Sequence, residues 1–253
     1  MLNYSKVVLD AIEREKAGTD YFCSEDDKII LRELLNVINE YTGINFQYLA
    51  ELAMFDIHGT GEIIARYISK FSSESVRGYL IHLLVFDRIR DCDKLVLQLY
   101  WHFKLSDEYI SRPSNPAPTH IYARYDNALK LLKPKRLKDD LIKLAHNPRD
   151  VFYLPLTMKM LASWKVPELK DLLIQYSSAT SITAADVNIS GSDGPYFPPL
   201  EYIKRELRFI AIDGLKHYPS DETKELIALY TNDPDMDVRT VAQRTIRYLQ
   251  KHN

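Results

Sequence analysis

Glycine is scarce in this chain, 8 of 253 residues, about 3% against a usual ~7%. A sequence so short of the residue that tolerates positive φ is poorly supplied for phosphate-cradling loops or many tight hairpins, which favours helices. Cysteine is scarcer still. Cys23 and Cys92 stand alone and form no C-x-x-C pair, which excludes a disulfide framework and predicts two reduced thiols in a cytoplasmic protein. The longest nearly apolar run, Tyr79 to Phe86, falls far below the ~20 residues a membrane span needs, so no membrane association is expected. Met1 to Lys16 intersperses Lys6, Asp10, Glu13, Arg14 and Glu15 with apolar residues and lacks the apolar stretch of a signal peptide. Charge of one sign is missing too: 33 basic against 35 acidic side chains leave a net charge of −2 and no global attraction to nucleic acid. The seven histidines, at 58, 82, 102, 120, 146, 217 and 252, form no H-x-x-x-H or H-E pair, so neither a metal nor a cofactor is expected.

What is present is an ordinary globular composition, 46% apolar and 27% charged, arranged almost throughout with a 3.6-residue period. The expectation is all-α. Helices are predicted near 2–16, 24–42, 46–56, 61–71, 74–89, 92–104, 120–132, 135–146, 149–164, 167–177, 199–217, 221–231 and 235–251. Start signals punctuate them: Ser24 with Asp27 three residues on, Ser73 before Val76, Ser106, Pro167-Glu168, Pro199 and Ser220-Asp221-Glu222, each suited to the unpaired N–H groups of a first turn.

The chain also resembles itself. Asp140-Leu141-Ile142-Lys143-Leu144, then Asn147-Pro148 and Asp150-Val151, matches Glu225-Leu226-Ile227-Ala228-Leu229, then Asp233-Pro234 and Asp237-Val238-Arg239. A weaker third copy runs from Glu62-Ile63-Ile64 to Ser75-Val76-Arg77. Each copy is a short helix, a tight turn and a second helix that covers the first one's apolar face. Stacking such hairpins buries what remains exposed.

The Asn/Asp-Pro turn followed by Asp-Val-Arg resembles the HEAT repeat, most clearly over 221–251. The resemblance implies a right-handed α-α superhelix, a HEAT-like solenoid of about five to six hairpins in a single domain. Residues 60–251 would form the repeats and 1–56 a divergent N-terminal helical cap. The hairpins would be 61–71/74–89, 92–104/120–132, 135–146/149–164, 167–177/199–217 and 221–231/235–251, with long loops at 111–119 and 178–198. It also implies a structural ladder in which Asp237 and Arg239 bond to backbone or neighbouring repeats. The 135–164 unit departs from the pattern, with Phe152 where Arg is expected.

Such a fold predicts a non-enzymatic scaffold or adaptor whose second-helix face grips a protein partner, in the manner of an immunity or chaperone-like protein. The residues expected there are Arg77, Tyr122, Arg124, Tyr125, Lys130, Arg205 and Arg208, with Tyr196 and Phe197 from the long loop. The 17 tyrosines lean the same way, because a rigid apolar ring with a polar tip suits semi-exposed recognition surfaces. The alternative is nucleic acid. Residues 113–176 carry 11 basic and 6 acidic side chains, whereas 1–60 carry 5 and 11. Lys133, Lys135, Arg136, Lys138, Lys143 and Arg149 would hold phosphates there, with Tyr122 and Tyr125 placed to stack on bases. HEAT-like alkylpurine DNA glycosylases use a cationic cleft bearing Trp, Asp and Arg, for which Trp101 or Trp164 with Asp150 and Arg149 are the available counterparts, although both tryptophans read as core anchors. No nucleophile-base-orienter set is visible. Gly59-Thr60-Gly61 reads as a helix-helix turn and Asp56, His58 and Glu62 as a chance cluster beside it.

Overall fold

The computed structural model describes residues 6–17, 23–52, 58–87, 89–102, 118–146, 154–178, 182 and 200–252. Among these residues there are thirteen α-helices and no strand. They are α1 (Lys6–Lys16), α2 (Glu25–Thr42), α3 (Leu49–Leu52), α4 (Thr60–Tyr67), α5 (Glu74–Asp87), α6 (Cys92–Trp101), α7 (Pro118–Leu132), α8 (Lys138–His146), α9 (Leu154–Ser163), α10 (Lys170–Ser178), α11 (Leu200–Leu215), α12 (Asp221–Leu229) and α13 (Met236–Lys251). Short 3-10 turns extend α4 at Ile68–Lys70 and precede α8 at Lys135–Leu137 and α10 at Pro167–Leu169. The last two replace the α-helical starts predicted at 135 and 167. Pro134 and Val166 offer their carbonyls to Leu137 and Leu169, closing the tighter i→i+3 ring. The described residues fall into two compact units, one up to Lys133 and one from Pro134 onward.

In the first unit, carboxylates seal helix starts belonging to other helices. Ser24 caps α2 through Asp27 N (3.1 Å), as the sequence signal predicts. Asp27 itself, 1% exposed, turns outward from α2 and accepts from Ser72 N (2.7 Å), Ser72 Oγ (2.8 Å) and Ser73 N (3.1 Å), immediately before α5. At the far end of α5, Asp87 accepts from Gly59 N (3.1 Å) and Gly61 N (2.6 Å), so α4 begins where α5 ends and the two run antiparallel. Glu15 of α1 takes the first amides of α3, Leu49 and Ala50, at 2.8 Å each. The four unpaired N–H groups of a helix start attract anions, and here the anion is supplied from within the fold. Apolar burial does the rest: Ile64, Ile68, Phe71, Val76, Leu80, Ile81 and Leu84 are fully enclosed where α5 packs on α4 and α7.

The second unit is a succession of helix pairs. α8 packs on α9, α10 on α11 and α12 on α13, and the second members α9, α11 and α13 pack side by side in that order. Gly214 explains how closely they approach. A Cβ there would stand 3.1 Å from Leu173 of α10 and 3.3 Å from Ala162 of α9. Ser220 caps α12 through Thr223 N (3.1 Å), and Asp235 caps α13 through Asp237 N and Val238 N (2.9 and 3.1 Å). Tyr218, just past α11, donates to Val166 O just past α9 (2.7 Å), tying successive turns together.

Candidate functional site

One local device occurs in both units. Arg239, one turn into α13, donates to Asp233 O (2.5 Å) and Pro234 O (3.4 Å), folding back over the turn that precedes its helix. Arg77, one turn into α5, donates in the same i→i−6 sense to Phe71 O. In each case the residue before the Arg is a fully buried Val, Val76 or Val238, whose amide bonds to an N-cap side chain three residues earlier, Ser73 (3.3 Å) or Asp235 (3.1 Å). The copy that is weakest in sequence is therefore the same object in three dimensions. A guanidinium, with five donors on a rigid plane, suits this task because it satisfies turn carbonyls and still has N–H groups for a carboxylate. Arg77 uses them on Glu74 (2.6 Å), which also accepts from Tyr125 Oη of α7 (3.0 Å).

Between α11 and α13 the charged residues form rungs. Arg205 of α11 lies 3.6 Å from Asp237 of α13, and two turns further along both helices Arg244 of α13 donates to Asp213 of α11 (2.8 Å). The order of these rungs shows that α11 and α13 run in the same direction. Arg208 anchors the ladder more deeply, donating to Ser177 O at the end of α10 (3.2 Å) and to Asp233, with Tyr230 5.6 Å beneath it. Burial works to raise the Asp213 carboxyl, but hydrogen bonds and charge from Lys216 and Arg244 outweigh it and hold the group below the usual carboxylate range. Arg239 bonds to backbone and Asp237 reaches the neighbouring α11, as the ladder expectation has it.

The same rungs border an outward face rich in rings. Arg205 lies over Tyr202 (5.0 Å to the ring centre), Arg244 over Phe209 (5.7 Å), and Tyr248 stacks on His252 (4.2 Å). Tyr202 and Tyr248 remain 45% and 42% exposed. Of these residues sequence reasoning named only Arg205. The signal was available: 202, 205 and 209, like 244 and 248, recur at helical spacing on predicted second helices.

The other expected contact residues are placed as follows. Tyr125 is fully buried, stacked on Tyr100 (5.3 Å), so its ring serves the interior of the first unit. Arg124 covers the ring of Tyr79 (4.1 Å), and Lys130 is exposed on α7. Arg77 donates to Phe71 O and Glu74, and Arg208 to Ser177 O and Asp233, so both bond to acceptors within the fold. The side chain of Tyr122, together with Tyr196, Phe197 and Arg149, lies outside the described residues.

Of the basic segment, Lys133 is exposed at positive φ (47°) ending α7. In the second unit Lys135 and Arg136 are exposed on the 3-10 turn, and Lys138 and Lys143 sit 4.0 and 3.4 Å from Asp139 and Asp140. Alternation of this kind weakens a phosphate track. Trp101 and Trp164 are half-buried at the ends of α6 and α9, and Asp150 is outside the described residues.

The Gly59-Thr60-Gly61 turn has its amides occupied by Asp87, so the fold's own carboxylate stands where a phosphate would sit. His58 is exposed, stacked on Phe86 and 3.4 Å from Asp87. Among the described residues no group of three or more His, Cys, Asp and Glu side chains is placed to hold a metal ion. No helix of the described residues is long and apolar enough to cross a membrane. Burial pushes the Cys23 thiol up to about 12 and that of Cys92 to about 11, so both are protonated and poor nucleophiles at neutral pH. Compared with protein-family models and with curated proteins, the chain matches none.

Proposed function

We propose that this chain is a non-enzymatic, cytoplasmic protein-binding scaffold, and that each of its units is a stretch of HEAT-like right-handed superhelix. The observation that carries the reading is the parallel, rung-linked pair α11 and α13, which offers exposed Arg and Tyr side chains on one face. Second helices laid side by side present a broad surface without further loops, and Tyr and Arg dominate the energetics of protein interfaces. The shared Arg and cap geometry of Arg77 and Arg239 supports the repeat relationship.

The test is affinity capture by the full chain from lysate of its source cells at low and high salt, recording bound proteins and the 260/280 nm absorbance ratio together. A single stoichiometric protein surviving high salt supports the scaffold. Nucleic acid that washes away as salt rises favours the alternative, for which exposed Lys133, Lys135 and Arg136 are the residues to change to Glu.

A further inference from the structure

We infer that the face shared by α11 and α13 takes an acidic, aromatic-bearing peptide segment of a partner protein. The inference rests on the scaffold reading and adds the chemistry of the occupant. The Arg205 and Arg244 side chains are 39% and 57% exposed. Each has one carboxylate partner across the helix pair, which fixes the guanidinium plane but engages only part of its five-donor fork. Each plane is also laid on a ring, Tyr202 or Phe209, so little side-chain freedom remains to be lost when a second carboxylate arrives.

Lys216 stands beside Asp213 at 2.8 Å, and exposed Arg247 and Lys251 lie further along α13. The charge facing a ligand is therefore positive but interrupted, because Asp213 and Asp237 are interleaved with it and exposed Glu201 and Glu206 border Tyr202 and Arg205 on α11. A nucleic-acid backbone, with a charge every few ångströms, would set phosphates against those carboxylates. A peptide can space its carboxylates to meet the guanidinium groups and lay an aromatic side chain against Tyr202 or Tyr248, the rings that stand beyond the two rungs. Lysine would serve less well at 205 and 244, since it lacks the planar fork that pairs with a carboxylate while stacked.

The test uses the full-length protein against a random-peptide display library, followed by fluorescence anisotropy with the most enriched peptide. The expected consensus holds two or more Asp or Glu with Trp, Tyr or Phe beside them. Its affinity should fall by about tenfold or more, the scale of a lost interface anchor, in both Arg205→Gln/Arg244→Gln and Tyr202→Ala/Tyr248→Ala. It should also weaken with added salt and stay unchanged in Lys143→Glu. The tyrosine pair keeps the question open to a decision if the arginine pair perturbs the fold, because those rings are exposed and make no ion pair. A consensus without acidic residues, or one whose affinity the variants do not change, overturns the inference. If such a peptide still binds, the scaffold reading survives. Failure to enrich any peptide overturns the inference too, and lysate capture then decides the scaffold reading separately. Binding of a single-stranded oligonucleotide that the same variants abolish would assign the face to nucleic acid and overturn both.

Discussion

Removing the Asp27 carboxylate should unfasten the first unit while sparing the second. Its two oxygens accept three hydrogen bonds from Ser72 and Ser73, and it is almost completely enclosed. In Asp27→Ala, Ser72 is exposed and its groups regain water, but Ser73 N is buried and does not. An orphaned buried amide costs ~1–3 kcal/mol and a lost bond to a charged acceptor ~1.5–3, while relief from burying a charge offsets part, so a net loss of about 2–4 kcal/mol is expected. Asp27→Asn should cost less, because the amide oxygen can still accept. The chain supplies its own reporters, since Trp101 lies in the first unit and Trp164, the other tryptophan, in the second. Urea unfolding of Trp164→Phe and Trp101→Phe backgrounds, followed by tryptophan fluorescence, reads each unit in turn. The midpoint should drop in the Trp101-reported transition with its slope unchanged. A loss below about 1 kcal/mol would refute the reasoning that this bridge holds α2 to the start of α5.

Three further outcomes follow from the same geometry. Lys165 ends α9 at φ 56°, with Val166 N and Lys165 N bonded back to Leu161 O and Ala162 O, so Lys165→Gly should stabilise the Trp164-reported unit by about 1 kcal/mol in urea melts. Gly61→Ala should do the reverse in the first unit, because its Cβ would come within 2.7 Å of Asp87 Cβ, and a drop in the Trp101-reported midpoint checks it. Acid should weaken the second unit in two stages. Burial lowers the His217 pKa, so the unfolded chain binds that proton more readily and stability declines as pH falls through the ordinary His value of 6.5 and below. The Asp213 pKa is also lowered, so its contribution is present above the ordinary 3.8 and disappears as pH drops through its folded value. His217→Gln should flatten the first decline and leave the second, as read from urea midpoints between pH 7 and 3.

The helices and their order were legible because nearly every one buries a single stripe. Val238, Val241, Ala242, Thr245 and Leu249 on α13 trace the spacing that the sequence displays, and Ser24, Ser73 and Ser220 each cap the helix start their positions announce. Where the outcome differs, a local rule was outvoted. Asp27, three residues after Ser24, looks like the returning half of a capping box, yet its carboxylate leaves α2 and seals α5 forty-five residues away. No short-range pattern encodes that. Glu15 and Asp87 act in the same manner, and a carboxylate that caps a distant helix is indistinguishable in sequence from one that faces water.

The binding face was only partly legible for a related reason. Arg77, Arg205, Arg208 and Arg239 all fall on second helices, and composition treats them alike. The structure separates them by what sits within reach: Arg77 and Arg239 close on their own turns, Arg208 spans Ser177 and Asp233, and Arg205 holds one carboxylate with its side chain still open to solvent. An arginine's role here depends on the position of the nearest carbonyl oxygen on the adjoining turn, which is a property of how two helices cross. Tyr125 was misjudged on the same ground, its 3.6-residue neighbours Ala128 and Leu129 already marking it as inward-facing. Aromatic-and-arginine composition therefore identifies a recognition surface only after the inward stripe is subtracted. What survives that subtraction on α11 and α13 is Tyr202, Arg205, Arg244, Arg247 and Tyr248.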